Sequence, residues 1–220
     1  MSVEDIVLVQ QLVCREREAR DRLWWDEMRS IYTEDSWIDL SWYQGSGKGF
    51  IDRSIDLAKR GTSSKHRLGP VVVRVSEDRG RALATVSAVI ESRFKLNGIE
   101  VDIGSETRLI YKGVKNTHDH KWRLSGLSCI YECDHLRPAI PGQTINIDPE
   151  ELKPYRSSYR CLSYFLSQQG LSVRMELPGD DRPEQVIKLY DDAFRWLRVS
   201  GSSVANRQEY QHDGQAQSLL

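Results

Sequence analysis

The first apolar positions of the chain, Ile6, Val9, Leu12 and Val13, recur at three- and four-residue spacing and predict a helix from about Val3. Ser2 is its expected cap, and Glu4 and Asp5 fall in its first turn, where negative charge suits the positive end of a helix. The apolar face stops at Cys14 and gives way to REREARD. A second helical segment, LWWDEMRSIY, is followed by an extended stretch, SWIDLSWY. A glycine-rich loop then leads into a short amphipathic helix carrying Ile51, Ile55, Leu57 and Ala58.

From His66 the period changes. PVVVRV, RALATVSAVIESRFKL, IEVDIGSETRLIYK and KWRLSGLSCIYE are extended in character, separated by turn signals at EDRG, LNG and NTHDHK. In the third of these, Ile99, Val101, Ile103, Ser105, Thr107, Leu109 and Tyr111 share one side, and Glu100, Asp102, Glu106 and Arg108 the other. Helices followed by an antiparallel sheet with one covered face make the fold class α+β. Past Pro138 the composition shifts to RPAIPGQTINIDPEELKPY, an ordered wrap or linker, and then to two helical segments near YRSSYRCLSYFLSQQG and PEQVIKLYDDAFRWL. The expected organisation is a first domain over 1–137, a linker and helical extension over 138–199, and a disordered tail over 200–220.

Composition narrows the function classes. In 220 residues the formal charge is −1, which offers no net field for nucleic acid or an anionic membrane. The apolar positions of the N-terminus are broken by Glu4, Asp5, Gln10 and Gln11, unlike a signal peptide, and no apolar run approaches the roughly 20 residues of a bilayer span. Four dispersed cysteines fit a reduced, cytoplasmic protein.

The stretch YQGSGKGFIDRS resembles a phosphate loop only at first sight. Position 42, where the Walker spacing needs glycine, holds Trp42, and Lys48 is followed by Gly49 rather than Ser or Thr. The dinucleotide pattern fails as well, because Phe50 stands where its third glycine belongs. The loop reads instead as a tight turn needing positive φ between a strand and a helix.

Three residues are candidates for chemistry. His66, in KHRLGP, falls near the mouth of the sheet. Asp21 lies where the first helix loses its apolar stripe, close to Trp24 and Trp25; it is either a partner for His66 or a helix-end aspartate. Glu91 interrupts the most hydrophobic strand, where it either lines a cavity or faces solvent. His118 and His120 sit in a polar turn with no third ligand, so no metal and no cofactor are expected.

The order of helix, D-x-x-x-W from Asp21 to Trp25, glycine turn, short helix, KHRLGP and four long strands ending in KWRLSGLSCIYE resembles the SnoaL-like branch of the nuclear transport factor 2-like superfamily, over about residues 3–137. That resemblance implies a curved sheet wrapped by helices into a cone with a ligand pocket inside. Within the superfamily, the spacing of polar residues is similar to scytalone dehydratase and bile-acid 7α-dehydratase. It places Asp21 and His66 on their catalytic aspartate and histidine, Glu91 near a second catalytic group, and Ser105 and Thr107 on a strand that orients substrate. Arg20 stands where scytalone dehydratase has a tyrosine, so a tyrosine-held water does not carry over.

The activity implied is cofactor-independent acid/base chemistry, as a dehydratase or an isomerase or cyclase. Its substrate would be a small, partly hydrophobic metabolite such as a polyketide, terpenoid or aromatic intermediate. Asp21 would orient His66 and raise its basicity, and Glu91 would serve as an acid. Trp25 would help to bind substrate, and Arg17 or Arg20 would hold an enolate or carboxylate oxygen unless they are solvated charges. Family members of this kind imply a homodimer or homotrimer. The competing class is a non-catalytic ligand-binding or protein-interaction module.

Overall fold

A computed structural model describes residues 3–198. Helices α1 (Val3–Arg22) and α2 (Trp25–Ile31) lead into a hairpin of β1 (Tyr32–Leu40) and β2 (Tyr43–Ser46), which continues into α3 (Gly47–Lys59). Two short strands, β3 (Lys65–Leu68) and β4 (Val72–Val75), precede three long ones, β5 (Arg81–Leu96), β6 (Ile99–Lys115) and β7 (Trp122–Pro138). The extension holds α4 (Pro149–Leu152), a 3-10 turn at Ser157–Tyr159, α5 (Arg160–Gln168) and α6 (Pro183–Arg198). Ser2 and the expected disordered tail at 200–220 lie outside the described residues.

The strands form one sheet in the order β2-β1-β7-β6-β5-β3, with β4 also paired to β5. The sheet is mixed rather than antiparallel throughout, because β1 lies parallel to β7. Consecutive long strands joined by tight turns must pair antiparallel, but β1 and β7 are far apart in sequence and escape that constraint. Register shifts at Glu106/Thr107 and Lys112/Gly113 interrupt the β6–β7 ladder, and bulges of this kind bend strands and let a sheet curl.

The inner face of the sheet packs Ala84, Val86, Ala88, Leu109, Leu127 and Cys129 against Val9, Leu12 and Val13 of α1. The outer face is not left bare. Leu83, Ile110 and Ile130 are covered there by Ala193 and Leu197 of α6, so part of the sheet is buried on both sides. The stretch after Pro138 is an ordered wrap, with Ile145, Ile147 and Leu152 packed against Leu96, Val101 and Tyr164.

Helix α1 does not lose its buried face at Cys14. Its buried positions run Asp5, Val9, Leu12, Val13, Glu16, Arg17, Ala19 and Arg20, one continuous helical stripe whose last turns carry charge. The helix ends where Leu23 turns to φ 64° and the Trp24 amide bonds to the Ala19 carbonyl at 2.9 Å, a Schellman closure made without glycine. The glycine-rich stretch is not a turn: Tyr43–Ser46 is strand β2, with Gly45 opposite Ile38 at φ 151°, and it runs straight into α3, which Ser46 caps by accepting the Gly49 amide at 3.2 Å. A side chain at Gly47 would meet the Ser36 hydroxyl at 2.2 Å, so glycine here permits close packing of the hairpin.

Candidate active site

A cavity of about 60 Å³ lies between the inner face of the sheet, α1 and α5. One ordered water needs roughly 10–15 Å³, so the space suits several waters or a small ligand. Its walls are mainly apolar, with Leu57 from α3, Leu109 from β6, and Leu162, Phe165 and Leu166 from α5. Trp42 and Phe50, at either end of the glycine loop, form one rim. Ser41, Thr62, Ser64, Ser92 and Tyr131 add hydroxyls to the lining, and its basic groups, Arg17, Arg20 and His66, come together near α1.

His66 reaches the cavity because β3 pairs with β5 in a register that sets His66 opposite Ile90, and both side chains line the space. Asp21, in the last turn of α1, holds the histidine twice. Its Oδ2 accepts the His66 backbone amide at 2.7 Å, and its Oδ1 lies 2.6 Å from ring Nδ1. The other ring nitrogen, Nε2, faces Arg17 Nη1 at 3.4 Å. A guanidinium can only donate, so Nε2 carries the lone pair and Nδ1 carries the proton given to Asp21.

The electrostatics depart from the expectation that His66 becomes more basic. Burial lowers its pKa from the usual 6.5; the Asp21 hydrogen bond works against this, and the charge of Arg17 adds to the lowering. His66 is therefore neutral near pH 7. Burial pushes the Asp21 carboxyl up, but the hydrogen bonds from the His66 ring and backbone amide, with the charge of Arg17, work against it and hold Asp21 below 3.8. The pair is a carboxylate and a neutral imidazole.

Beneath them lies a group that the sequence reading missed. Glu16 is fully buried and forms a bidentate ion pair with Arg17. It also accepts the Tyr32 hydroxyl at 2.9 Å and the Tyr111 hydroxyl at 3.0 Å. Four donors from three directions fix the carboxylate, and the carboxylate fixes the Arg17 fork beside His66. The legible signal was helical phase: continuing Val9 and Val13 by three and four residues lands on Glu16, Arg17 and Arg20.

Arg17 and Arg20 are not solvated charges, being 4% and 8% exposed. Burial, then the neighbouring charge of Arg17, lowers the Arg20 pKa to about 10, which still leaves it a cation at neutral pH. Trp25 does not line the cavity. Its ring stacks on the Arg20 guanidinium at 5.9 Å and supports it from outside.

The structure does not bring Glu91 to the cavity. On β5, Ile90 and Ser92 face inward, and Glu91 between them must face out, because strand side chains alternate. Its carboxylate instead bonds Arg67 Nε at 2.9 Å on the outer surface, with the side chain 46% exposed. Ser105 and Thr107 do lie on the inner face but are sealed in, at 0% and 1% exposure, and do not form the wall. The Thr107 hydroxyl is used by the Ala88 carbonyl at 3.0 Å. His118 and His120 are exposed in the turn between β6 and β7.

The SnoaL-like domain matches residues 1–127. The chain belongs to the SnoaL-like family. An uncharacterized protein of Emericella nidulans is 31% identical over 189 residues, covering 81% of this chain and 79% of its own length. Pea pathogenicity protein 2 of Fusarium vanettenii is 27% identical with the same coverage. Because 81% of 220 residues exceeds the 137 of the expected first domain, these matches include part of the extension. The SnoaL-like fold is also seen in LinA, with a TM-score of 0.51 and 13% identity over 67% of this chain and all of that one. A scytalone dehydratase-like protein from Novosphingobium aromaticivorans gives a TM-score of 0.50 and 11% identity over 66% of this chain and 97% of that one. Among the described residues no helix is long and apolar enough to cross a membrane.

Proposed function

We propose that this protein is a cofactor-independent acid/base lyase or isomerase acting on a small, partly hydrophobic carbonyl compound. The observation that carries the reading is the neutral His66, oriented by Asp21, with its unprotonated Nε2 beside Arg17 at the wall of the cavity. A substrate C–H next to a carbonyl gives its proton to Nε2. The electron pair moves to the carbonyl oxygen as an enolate, which the Arg17 guanidinium stabilises. In a dehydration the carbon–oxygen bond one carbon further on then breaks, the double bond forms, and the departing hydroxide takes the proton from Nε2–H to leave as water. In an isomerisation the same proton returns to a different carbon. One shuttling group serves both, and general acid/base transfer of this kind contributes about 10²–10⁴ in rate.

A lowered pKa suits this work, because a base must be unprotonated before it acts. Asp21 then stabilises the imidazolium that forms. Glu91 has no part, and the proton that it was expected to donate is supplied by His66 itself. Members of the fold family named for a dehydratase support the class of reaction without specifying the substrate.

The test pairs NMR with kinetics. The His66 ring is titrated in wild type and Asp21→Asn, and elimination of water from 4-hydroxy-4-phenyl-2-butanone is followed by enone absorbance. The expected outcome is a further fall of the His66 pKa in Asp21→Asn, turnover reduced about 10²–10⁴-fold in His66→Gln, and unchanged turnover in Glu91→Gln. A ring that titrates identically with and without Asp21, together with turnover indifferent to His66, would leave ligand binding without catalysis.

A further inference from the structure

We propose that the cavity selects a small organic acid with an apolar body, and that Arg20 is the residue that binds its carboxylate. This deepens the acid/base reading of the same site and rests on it for what happens to the acid once bound. Arg20 is 8% exposed and lines the cavity. Among the described residues it makes no hydrogen bond or ion pair, and its contact is the Trp25 ring.

The nearby carboxylates are committed elsewhere. Glu16 is occupied by Arg17, Tyr32 and Tyr111. Asp21 lies within Coulombic range of Arg20, yet both of its oxygens are directed to His66. A guanidinium buried without a partner is costly unless something else supplies the missing acceptors. Its planar fork matches a carboxylate with two parallel hydrogen bonds. The remaining walls, formed by side chains such as Leu57, Leu109 and Phe165, offer an apolar body a dry surface, and the hydroxyl residues among them carry no charge.

The division of labour between the two arginines follows from their places on α1. Arg17 touches the base and is held rigidly from below, which suits an oxygen whose charge grows during reaction. Arg20 lies three residues on, about 4.5 Å along the helix axis, and has no such anchor. It is placed to hold a charge already present in the ground state.

The test is calorimetric titration of the whole chain at pH 7 with benzoate, benzamide and inorganic phosphate. The expected result is that benzoate binds at least tenfold more tightly than benzamide and that Arg20→Gln loses at least tenfold for benzoate alone. Arg20→Lys, which keeps the charge but not the fork, loses several-fold and serves if the Gln variant does not fold. Unliganded Arg20→Gln is expected to melt no lower than wild type, because no partner is left unsatisfied. Benzoate binding retained in His66→Gln supports the carboxylate site whether or not His66 is catalytic, so the two proposals fail separately. Equal binding of benzoate and benzamide, no benzoate binding, or benzoate affinity undiminished in Arg20→Gln would overturn the inference. Phosphate bound as tightly as benzoate through Arg20 would overturn it too, in favour of an inorganic anion site.

Discussion

His66 shows how a single residue can be found in a sequence and still be misjudged. Its position and its partner Asp21 were legible through the family resemblance, but the sign of its pKa shift was not. That sign depends first on burial and then on the charges of Arg17 and Arg20, which a reading of REREARD alone leaves free to face solvent. The shift has a consequence for stability. Between pH 6.5 and the lower value that His66 has in the fold, the unfolded chain binds a proton that the folded chain refuses. Stability therefore falls as pH drops through this window, with a slope of up to about 1.4 kcal/mol per pH unit for one proton. Asp21, held below 3.8, adds to the loss only in stronger acid. Urea midpoints between pH 5 and 8 should show this slope in wild type and lose it in His66→Gln; equal slopes would mean that His66 does not titrate differently on folding. Glu91 teaches the complementary lesson. A strand alternates faces every residue, so a placement that is off by one position is off by the thickness of the sheet.

At the scale of elements, the helices and long strands were legible because their periods are strong, whereas two of their relationships were not. The parallel contact between β1 and β7 depends on a pairing distant in sequence, which local pattern does not encode. The end of α1 was hidden for another reason: Leu23 takes the left-handed turn that glycine usually supplies. This closure sets Asp21 in the last helical turn, where a carboxylate faces the negative end of the helix and is stable only if other donors hold it. Leu23 is 47% exposed, so little packing is lost on removing its side chain. Leu23→Gly should raise the unfolding free energy by about 1 kcal/mol, the usual cost of a left-handed non-glycine residue. A denaturant melt that shows loss instead would mean that the leucine contributes contacts worth more than its strain.

For the whole molecule, the first 137 residues supply His66, Asp21 and both arginines, and the extension supplies the roof. The helical character of α5 was legible, but not the surface on which it docks, since a helical segment names no partner. It lies over the cavity, tied to β7 by the Asp134 carboxylate, which accepts the Leu162 amide at 2.7 Å. Phe165 packs its ring 4.7 Å from that of Phe94 and is 3% exposed. Phe165→Ala should cost about 3–5 kcal/mol of stability and shift binding from benzoate towards 2-naphthoate, read by titration; unchanged preference would place the selecting surface elsewhere. The wider meaning of this roof is evolutionary. In the proposed reaction the groups that move protons lie on α1 and β3, apart from α5, so substitutions in α5 would alter the range of accepted molecules and leave the His66–Asp21 geometry intact. A lineage carrying this arrangement could diversify its chemistry by editing one short helix.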